Sequence, residues 1–319
     1  MNLKYYVGVD VGGTKIAAAL ISANGKILAR SKSATPPKAD GKNIFQVIIK
    51  TIQEVCSEHP SKKISGIGLG IPGIADPRTH SIIVTPNIKL AGYPLKNELS
   101  KKFRTKIIID NDVNCGLLGE KWLGAAQKAK HVVGLFPGTG IGGAILINGR
   151  LLTGSQGAAA ELGHMIMVIN GPQCSCGNKG CLEALASRWA IQRDIRTAIK
   201  SGKKSIISQL SRNNLAIIKS KAIKQALQQR DPVVTDIMIR AANTLGQACI
   251  SISHIFNPEM IVLGGGVIEA CGEFLLPRIK KLASSDPFFK KFKPCKIVEA
   301  KLKDDAVLLG AVALARHQA

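Results

Sequence analysis

The sequence predicts an α/β protein built from two similar domains. Its 319 residues are enough for two domains with separate hydrophobic cores. The opening segment YYVGVDVGGTKIAAALIS reads as a strand, a glycine-rich turn with a threonine, and a second strand. The same order returns in HVVGLFPGTGIGGAILINGRLL, which begins at His131. Amphipathic segments with helical spacing separate the strand-rich ones, and the repeat indicates a duplicated domain plan.

The elements of the first half follow from local patterns. Asn24-Gly25 marks a hairpin turn after the first two strands, and a third strand is expected over 26–33. A helix is expected over 43–58, because its aliphatic residues recur on one face. A buried strand in ISGIGLGIPG follows. The next strand, over 106–110, ends in the polar run Asp110-Asn111-Asp112.

The second half predicts strands at its two ends and helices between them. Residues 185–256 are expected to be mostly helical, and PEMIVLGGGV, over 258–267, is a strand that ends in glycines. We place the hinge between the domains near 111–120, because no low-complexity linker is present. The expected domains are 1–115, completed by a C-terminal helix over 305–319, and 116–304, which contains a metal-binding loop over 164–181.

Composition excludes several classes of function. No apolar run reaches the roughly 18 residues that span a bilayer, and the chain enters a strand within a few residues of its start. We therefore expect a cytoplasmic protein with no signal peptide and no membrane partner. The net charge of +23 fits a nucleic-acid partner, an anionic substrate or a lysine-rich surface. Aromatic residues are only 4% of the chain, too few for a nucleic-acid stacking platform, so we favour a solvated basic surface.

One histidine and three cysteines lie close together in ELGHMIMVINGPQCSCGNKGCLE. These candidate ligands are His164, Cys174, Cys176 and Cys181. The set matches a closed tetrahedral zinc site, and Gly177 and Gly180 suit a tight ligand loop. Free cysteines in a loop and a disulfide are the alternatives. We favour a structural Zn²⁺ that fixes the flanking Glu161 and Glu183.

The two glycine turns suggest phosphate binding. Glycine lets the backbone approach an anion closely and present N–H groups to it. Asp10 precedes the first turn, Gly12-Gly13-Thr14-Lys15, where a carboxylate can hold Mg²⁺ beside nucleotide phosphates. The second turn is Gly138-Thr139-Gly140. Neither turn matches the P-loop or the dinucleotide fingerprint, and a plain hairpin turn is the alternative for each.

Several polar residues suit a polyhydroxylated ligand. Asn111 and Asp112 follow a strand end, although an aspartate in such a loop is often a cap or turn residue. Glu161, His164 and Glu183 surround the cysteine cluster, although each glutamate can also be simply solvated. Sugar hydroxyls need paired donors and acceptors, because a buried unmatched hydroxyl costs about 1–3 kcal/mol.

Taken together, the motifs resemble those of the ROK family of sugar kinases and repressors. In chain order they are DVGGTK (10–15), GLGIPG (68–73), NDVN (111–114), GTGIGG (138–143), ELGH, CSCGNKGCLE, NPEMIVLGGG and DDAVLLGA. The resemblance covers nearly the whole chain. It implies the actin-like, hexokinase-like ATPase fold, in which two α/β domains have a nucleotide and sugar cleft between them, and it implies a homodimer.

The resemblance also implies a role for each motif residue. Asp112 would be the catalytic base, and Asp10 would organise Mg²⁺. The residues expected to bind ATP are Asp10, Gly12, Gly13, Thr14, Lys15, Gly138, Thr139 and Gly140 at the phosphates, with Gly265 and Gly266 at the adenosine. The residues expected to bind the sugar are Gly73, Asn87, Asn111, Asp112, Glu161, His164 and Glu183. His164 would bind zinc through one ring nitrogen and a sugar hydroxyl through the other.

The expected function is ATP-dependent phosphorylation of a hexose, with glucose as the favoured substrate and glucose 6-phosphate as the product. N-acetylmannosamine or N-acetylglucosamine is the nearest alternative substrate, and polyphosphate is an alternative donor that the positive charge would suit. A sugar-responsive repressor is the alternative of another class. Repressors of the family carry a winged helix-turn-helix before the first strand, which begins here near Tyr5, so we do not expect DNA binding.

Three positions depart from the family pattern. Family members commonly have glycine before the ELGH motif, where this chain has Ala160. Ala144 stands where a third glycine often closes the second turn, and Arg188 stands where a small residue is more usual. The methyl group of Ala160 is expected to narrow the sugar pocket or to shift Glu161.

Overall fold

A computed structural model describes residues 4–37, 39–86, 88–212, 214–216 and 218–317. The chain divides into two compact units. The first unit comprises Met1–Lys128, Arg150–Ala160 and Lys301–Ala319, and the second comprises Ala129–Gly149 and Glu161–Ala300. Within the described ranges, no helix is long and apolar enough to cross a membrane.

The order of elements alternates strands and helices in both halves. The first half contains β1 (Tyr5–Val11), β2 (Lys15–Ser22), β3 (Ile27–Ala34), α1 (Gly41–Ser57), β4 (Ile64–Ile71), β5 (Ile74–Ala75), β6 (Ile82–Val84), α2 (Leu95–Phe103), β7 (Ile107–Asn111) and α3 (Asp112–Trp122). The second half contains β8 (Val132–Pro137), β9 (Ile141–Ile147), β10 (Arg150–Leu151), α4 (Leu182–Ala186), α5 (Arg188–Lys200), α6 (Ile207–Leu210), α7 (Ser220–Gln228), α8 (Pro232–Phe256), β11 (Met260–Leu263), α9 (Gly266–Ser284), β12 (Lys296–Glu299) and α10 (Ala306–His317).

The two large sheets share one plan. The first has the strand order β3-β2-β1-β4-β7, and the second has the order β10-β9-β8-β11-β12. In the first sheet β1 pairs antiparallel with β2, whereas β1, β4 and β7 run parallel. In the second sheet β8 pairs antiparallel with β9, whereas β8, β11 and β12 run parallel. The structure therefore confirms the repeat that the sequence predicted.

Helices cover both faces of the first sheet. On one face α1 buries Ile44, Ile48 and Ile52, and the Asp40 carboxylate caps its start by accepting the Asn43 N–H at 2.8 Å. On the other face α10 lies directly on β1 and β4. A Cβ at Gly68 in β4 would stand 1.9 Å from the Ala311 carbonyl oxygen. Only glycine permits this close packing of the C-terminal helix.

The boundary of the first unit differs from the expected hinge at 111–120, because residues 112–122 form the continuous helix α3. This helix packs extensively on α10. Its buried Glu120 accepts the backbone N–H groups of Ala125 at 2.7 Å, Lys301 at 2.8 Å and Leu302 at 2.7 Å. The carboxylate thereby ties α3 to the segment that leads into α10, and the chain leaves the first unit only after Lys128.

Candidate functional site

Three carboxylates gather at the carboxyl edge of the first sheet. Asp10 near the end of β1 and Asp110 near the end of β7 both lie in register with Gly70 of β4. Asp112 follows as the first residue of α3. Burial raises the pKa of the Cys115 thiol, and the charges of Asp110, Asp112 and Asp10 raise it further, so all three carboxylates lie close enough to act on this thiol. The carboxyl ends of parallel strands are where α/β proteins place ligands.

The environments of two of these carboxylates favour the neutral form. Burial raises the pKa of Asp10 to about 6, although the nearby Lys15 opposes the shift. Burial also raises the pKa of Asp110. Hydrogen bonds from the Asn114 side chain at 2.9 Å and the Asn111 N–H at 2.7 Å partly offset that shift. A divalent cation at Asp10 would restore the charged form, so this carboxylate fits Mg²⁺.

Asn111 fixes the position of Asp112. Its side-chain oxygen accepts the N–H groups of Val113 at 2.8 Å and Asn114 at 3.1 Å, which caps α3. Its amide donates to the Gly73 carbonyl at 2.9 Å. Gly73 has φ +132°, which glycine alone adopts readily. Asn111 and Gly73 therefore support the helix start as well as being expected sugar contacts. Asn87, the other expected sugar contact before α3, lies outside the described residues.

The first glycine turn presents N–H groups to solvent. The Gly12 N–H donates to the Lys15 carbonyl at 2.9 Å, and the Thr35 hydroxyl donates to the Gly12 carbonyl at 2.6 Å. Gly13 and Thr14 are exposed, and their N–H groups have no acceptor among the described residues. Hydrogen bonds within the protein therefore hold Gly12, while the N–H groups of Gly13 and Thr14 remain available, as an anion-binding turn requires. The Lys15 ammonium lies 3.4 Å from Asp304, an ion pair that the sequence did not indicate.

The second glycine turn has the same character. The Gly138 N–H donates to the Gly140 carbonyl at 2.8 Å, and the N–H groups of Thr139 and Gly140 have no acceptor among the described residues. A Cβ at Gly265 would stand 2.8 Å from the Pro137 carbonyl oxygen. The predicted adenosine residues Gly265 and Gly266, at the start of α9, therefore lie beside this turn.

The predicted zinc ligands converge. One ligand atom from each of the four residues lies within 4.8 Å of the others. The Cys176 and Cys181 sulfurs are 3.7 Å apart, and the Cys174 sulfur is 3.7 Å from His164 Nδ1. Sulfurs bound to one zinc at the usual 2.3 Å would be about 3.8 Å apart in a tetrahedron. The donor set and its spacing therefore fit a four-coordinate zinc ion.

Backbone contacts shape the ligand loop. The Cys174 N–H donates to the Asn178 carbonyl at 2.8 Å, which folds the loop between the cysteines. Gly180 has φ +76°, and a Cβ there would stand 1.7 Å from the Val168 carbonyl oxygen. The Leu182 N–H donates to the Met165 carbonyl at 2.9 Å. The loop thus needs glycine at position 180, and it returns the chain to α4 beside the ELGH segment.

The cluster brings the candidate sugar residues of the second unit together. His164 directs Nδ1 at the cysteines, and its Nε2 lies 4.0 Å from a Glu161 carboxylate oxygen. Glu183 accepts the Ser175 hydroxyl at 2.9 Å and the Ile141 N–H at 2.9 Å. A Cβ at Gly140 would stand 2.2 Å from the same carboxylate. Glu183 therefore links the loop of the predicted zinc ligands to the second glycine turn.

Sequence reasoning missed three residues that support the site. The sequence shows Asp110 only as part of a polar run, whereas in the structure its carboxylate accepts a hydrogen bond from the Asn114 side chain. His80 is buried, and its Nδ1 lies 2.9 Å from the Ile109 carbonyl oxygen in β7. Ser175 lies between two cysteines and donates to Glu183. The position of Asp110 at a strand end was a usable signal, whereas nothing in the sequence indicates the partners of the other two.

The fold and the site define an α/β protein with two sheets of one plan, each with a glycine turn whose N–H groups include some without a protein acceptor among the described residues, and a cysteine–histidine cluster. The chain belongs to the ROK family, whose sequence profile matches residues 6–318. The actin-like, hexokinase-like ATPase fold expected from the motifs is thereby confirmed.

Similar proteins include both kinases and repressors. The glucokinase of Thermotoga maritima is 35% identical over 313 residues, which are 98% of this chain and 97% of that protein. The xylose repressor of Caldicellulosiruptor bescii is 31% identical over 97% of this chain and 77% of the repressor. Among solved structures, a ROK family glucokinase from Streptomyces griseus in complex with glucose and AMPPNP has a TM-score of 0.83. The two sequences are 31% identical, and the match covers 99% of this chain and 100% of the Streptomyces griseus chain.

Proposed function

We propose that this ROK protein is a sugar kinase that transfers the γ-phosphoryl group of ATP to a hexose, with glucose as the preferred substrate. The observation that carries the proposal is the group of carboxylates at the edge of the first sheet, with Asp112 held at the start of α3 by its cap Asn111. The similarity to glucokinases over nearly the full length of both chains supports it.

Asp112 is the proposed general base. Its carboxylate takes the proton of the attacking sugar hydroxyl, the new O–P bond forms, and ADP leaves with the electrons of the broken bond. The fixed helix start matters because phosphoryl transfer depends mainly on positioning the two reactants. The raised pKa values of its neighbours Asp10 and Asp110 limit the negative charge around the base when no cation is bound.

The two glycine turns are the proposed phosphate contacts. The N–H groups of Gly13, Thr14, Thr139 and Gly140 donate to phosphate oxygens, since no protein acceptor among the described residues competes for them. Asp10 is the residue that would hold Mg²⁺, and the cation would neutralise charge on the phosphates. Lys15 is paired with the exposed Asp304, and its ammonium group has further N–H donors for a phosphate oxygen.

On the sugar side, Glu161, His164 and Glu183 are the proposed contacts of the second unit. A bound zinc ion would fix the His164 ring through Nδ1 and leave Nε2 for a sugar hydroxyl. The exposed Glu161 carboxylate has free acceptor capacity for hydroxyl groups. We propose that zinc acts here only through the geometry of the loop, since four protein ligands close its coordination.

A coupled ADP-release assay tests the proposal. ATP and Mg²⁺ are supplied with glucose, N-acetylglucosamine, N-acetylmannosamine, mannose or fructose, and polyphosphate replaces ATP in a parallel series. We expect strong turnover with ATP and glucose. Turnover only on an acetamido sugar would keep the mechanism and change the substrate. Failure to turn over any of these sugars with either donor would overturn the kinase proposal, and sugar-dependent binding to DNA would then favour a repressor.

A further inference from the structure

Arg188 lies at the second glycine turn. It is the first residue of α5, whose start is capped by the Ser187 hydroxyl accepting the Ala190 N–H at 3.1 Å. The Arg188 N–H donates to the Gly138 carbonyl at 3.0 Å, and the N–H of the next residue donates to the Thr139 carbonyl at 3.3 Å. Two backbone hydrogen bonds therefore join the start of α5 to the glycine turn that we propose to bind phosphate.

The side chain of Arg188 points back to the same turn. Its Nη2 donates a hydrogen bond to the Thr139 hydroxyl oxygen. No carboxylate of the described residues lies within ion-pair distance of this guanidinium. By contrast, Arg193 on the same helix is paired with Asp194 at 2.7 Å. Arg188 therefore brings a positive charge, uncompensated by a protein carboxylate, to an exposed threonine.

The chemistry of this contact suits an anion. A guanidinium has five N–H donors, so the bond to Thr139 leaves donors of Arg188 for another acceptor. The Thr139 hydroxyl accepts from Arg188, and its own proton is then available for donation outward. A planar guanidinium matches two phosphate oxygens and carries its charge at any physiological pH. Together with the N–H groups of Thr139 and Gly140, these donors surround a position for a phosphate group.

We propose that Arg188 binds a terminal phosphate of the phosphoryl donor, together with the Thr139 hydroxyl, and raises the affinity of this protein for its donor. The proposal rests on the proposed kinase function, which places the donor phosphates at this turn. It assigns a donor-binding role to a position where the family pattern has a small residue, and it concerns the phosphates rather than the adenosine or the sugar.

The test compares Arg188→Ala, Arg188→Lys and the matched control Arg196→Ala, which removes another arginine of α5. The KM for ATP of Arg188→Ala is expected to rise about tenfold to a hundredfold, the usual effect of losing a charge-assisted hydrogen bond. The KM for the sugar should stay within twofold. Arg188→Lys should recover part of the affinity because it keeps the charge, and Arg196→Ala should behave as wild type.

Direct binding separates this inference from the proposed function. Calorimetry with AMPPNP and with adenosine measures both ligands on each folded variant, without any dependence on turnover. We expect Arg188→Ala to weaken AMPPNP and to leave adenosine unchanged, which a general distortion of the site would not do. If the wild type is active and Arg188→Ala keeps both the wild-type KM for ATP and the wild-type affinity for AMPPNP, the inference is overturned while the kinase proposal stands. Failure of the wild type to bind AMPPNP would overturn both.

Discussion

Replacing Asp10 by asparagine is expected to stabilise the metal-free first unit at neutral pH. Burial raises the pKa of Asp10 from 3.8 to about 6, so the folded state holds this proton more tightly than the unfolded chain. The resulting stability is fully present below pH 3.8 and is lost as the pH rises through 6. The difference between the two pKa values corresponds to about 3 kcal/mol of folding free energy. Because part of Asp10 remains in contact with solvent, we expect Asp10→Asn to raise the free energy of unfolding at neutral pH by about 2 kcal/mol.

The assay isolates the unit that contains Asp10. The sequence has two tryptophans, and in a Trp189→Phe background the remaining Trp122 reports the first unit, where Arg316 stacks 4.5 Å from its ring centre. Urea unfolding is followed in EDTA between pH 4 and 7.5. Asp10→Asn should exceed its parent in stability at pH 7.5 and approach it at pH 4. The control Glu58→Gln removes an exposed carboxylate of the same unit. A stability difference for Asp10→Asn that is zero, or that does not change with pH, would refute the reasoning.

Three further substitutions probe the cysteine loop of the second unit and, in the first unit, the backbone and the packing. Cys176→Ser is expected to lose zinc, as measured by metal analysis, and to weaken sugar binding through His164; unchanged sugar affinity in zinc-free protein would contradict that coupling. Ala160→Gly should raise the free energy of unfolding by about 1 kcal/mol, since Ala160 has φ +66°; a variant that unfolds at lower urea would argue against strain there. Glu120→Gln should lower the free energy of unfolding by about 2 kcal/mol, because an amide cannot accept all three backbone N–H groups; wild-type stability would contradict this account.

Local patterns in the sequence located most elements that carry the candidate site. The helix expected over 43–58 is α1, Gly41–Ser57, and the strand expected over 106–110 is β7, Ile107–Asn111. These predictions succeed because periodicity and turn residues are local properties. The proximity of the four candidate metal ligands is equally accessible from the sequence, since they lie within one short loop whose glycines permit its turns.

Long-range contacts could not be predicted in the same way. The acceptor role of Glu120 depends on Lys301 and Leu302, which are 181 and 182 positions away. The sequence marks Ala160 as unusual, but its positive φ becomes visible only in the folded backbone. Asn111 likewise looks like a ligand residue in the sequence, whereas packing shows that it also caps α3 and holds Gly73. Such roles depend on which segments meet, and a single sequence does not specify that.

The most direct test of the central claim is the turnover of Asp112→Asn beside wild-type protein, with ATP, Mg²⁺ and the preferred sugar. A general base contributes about a hundredfold or more to the rate, so kcat should fall by at least that factor. Calorimetry should show sugar binding largely intact, because asparagine keeps the shape of the side chain. The exposed Asp236→Asn serves as the control and should retain full activity. Retained turnover in Asp112→Asn would contradict the assignment of Asp112 as the base.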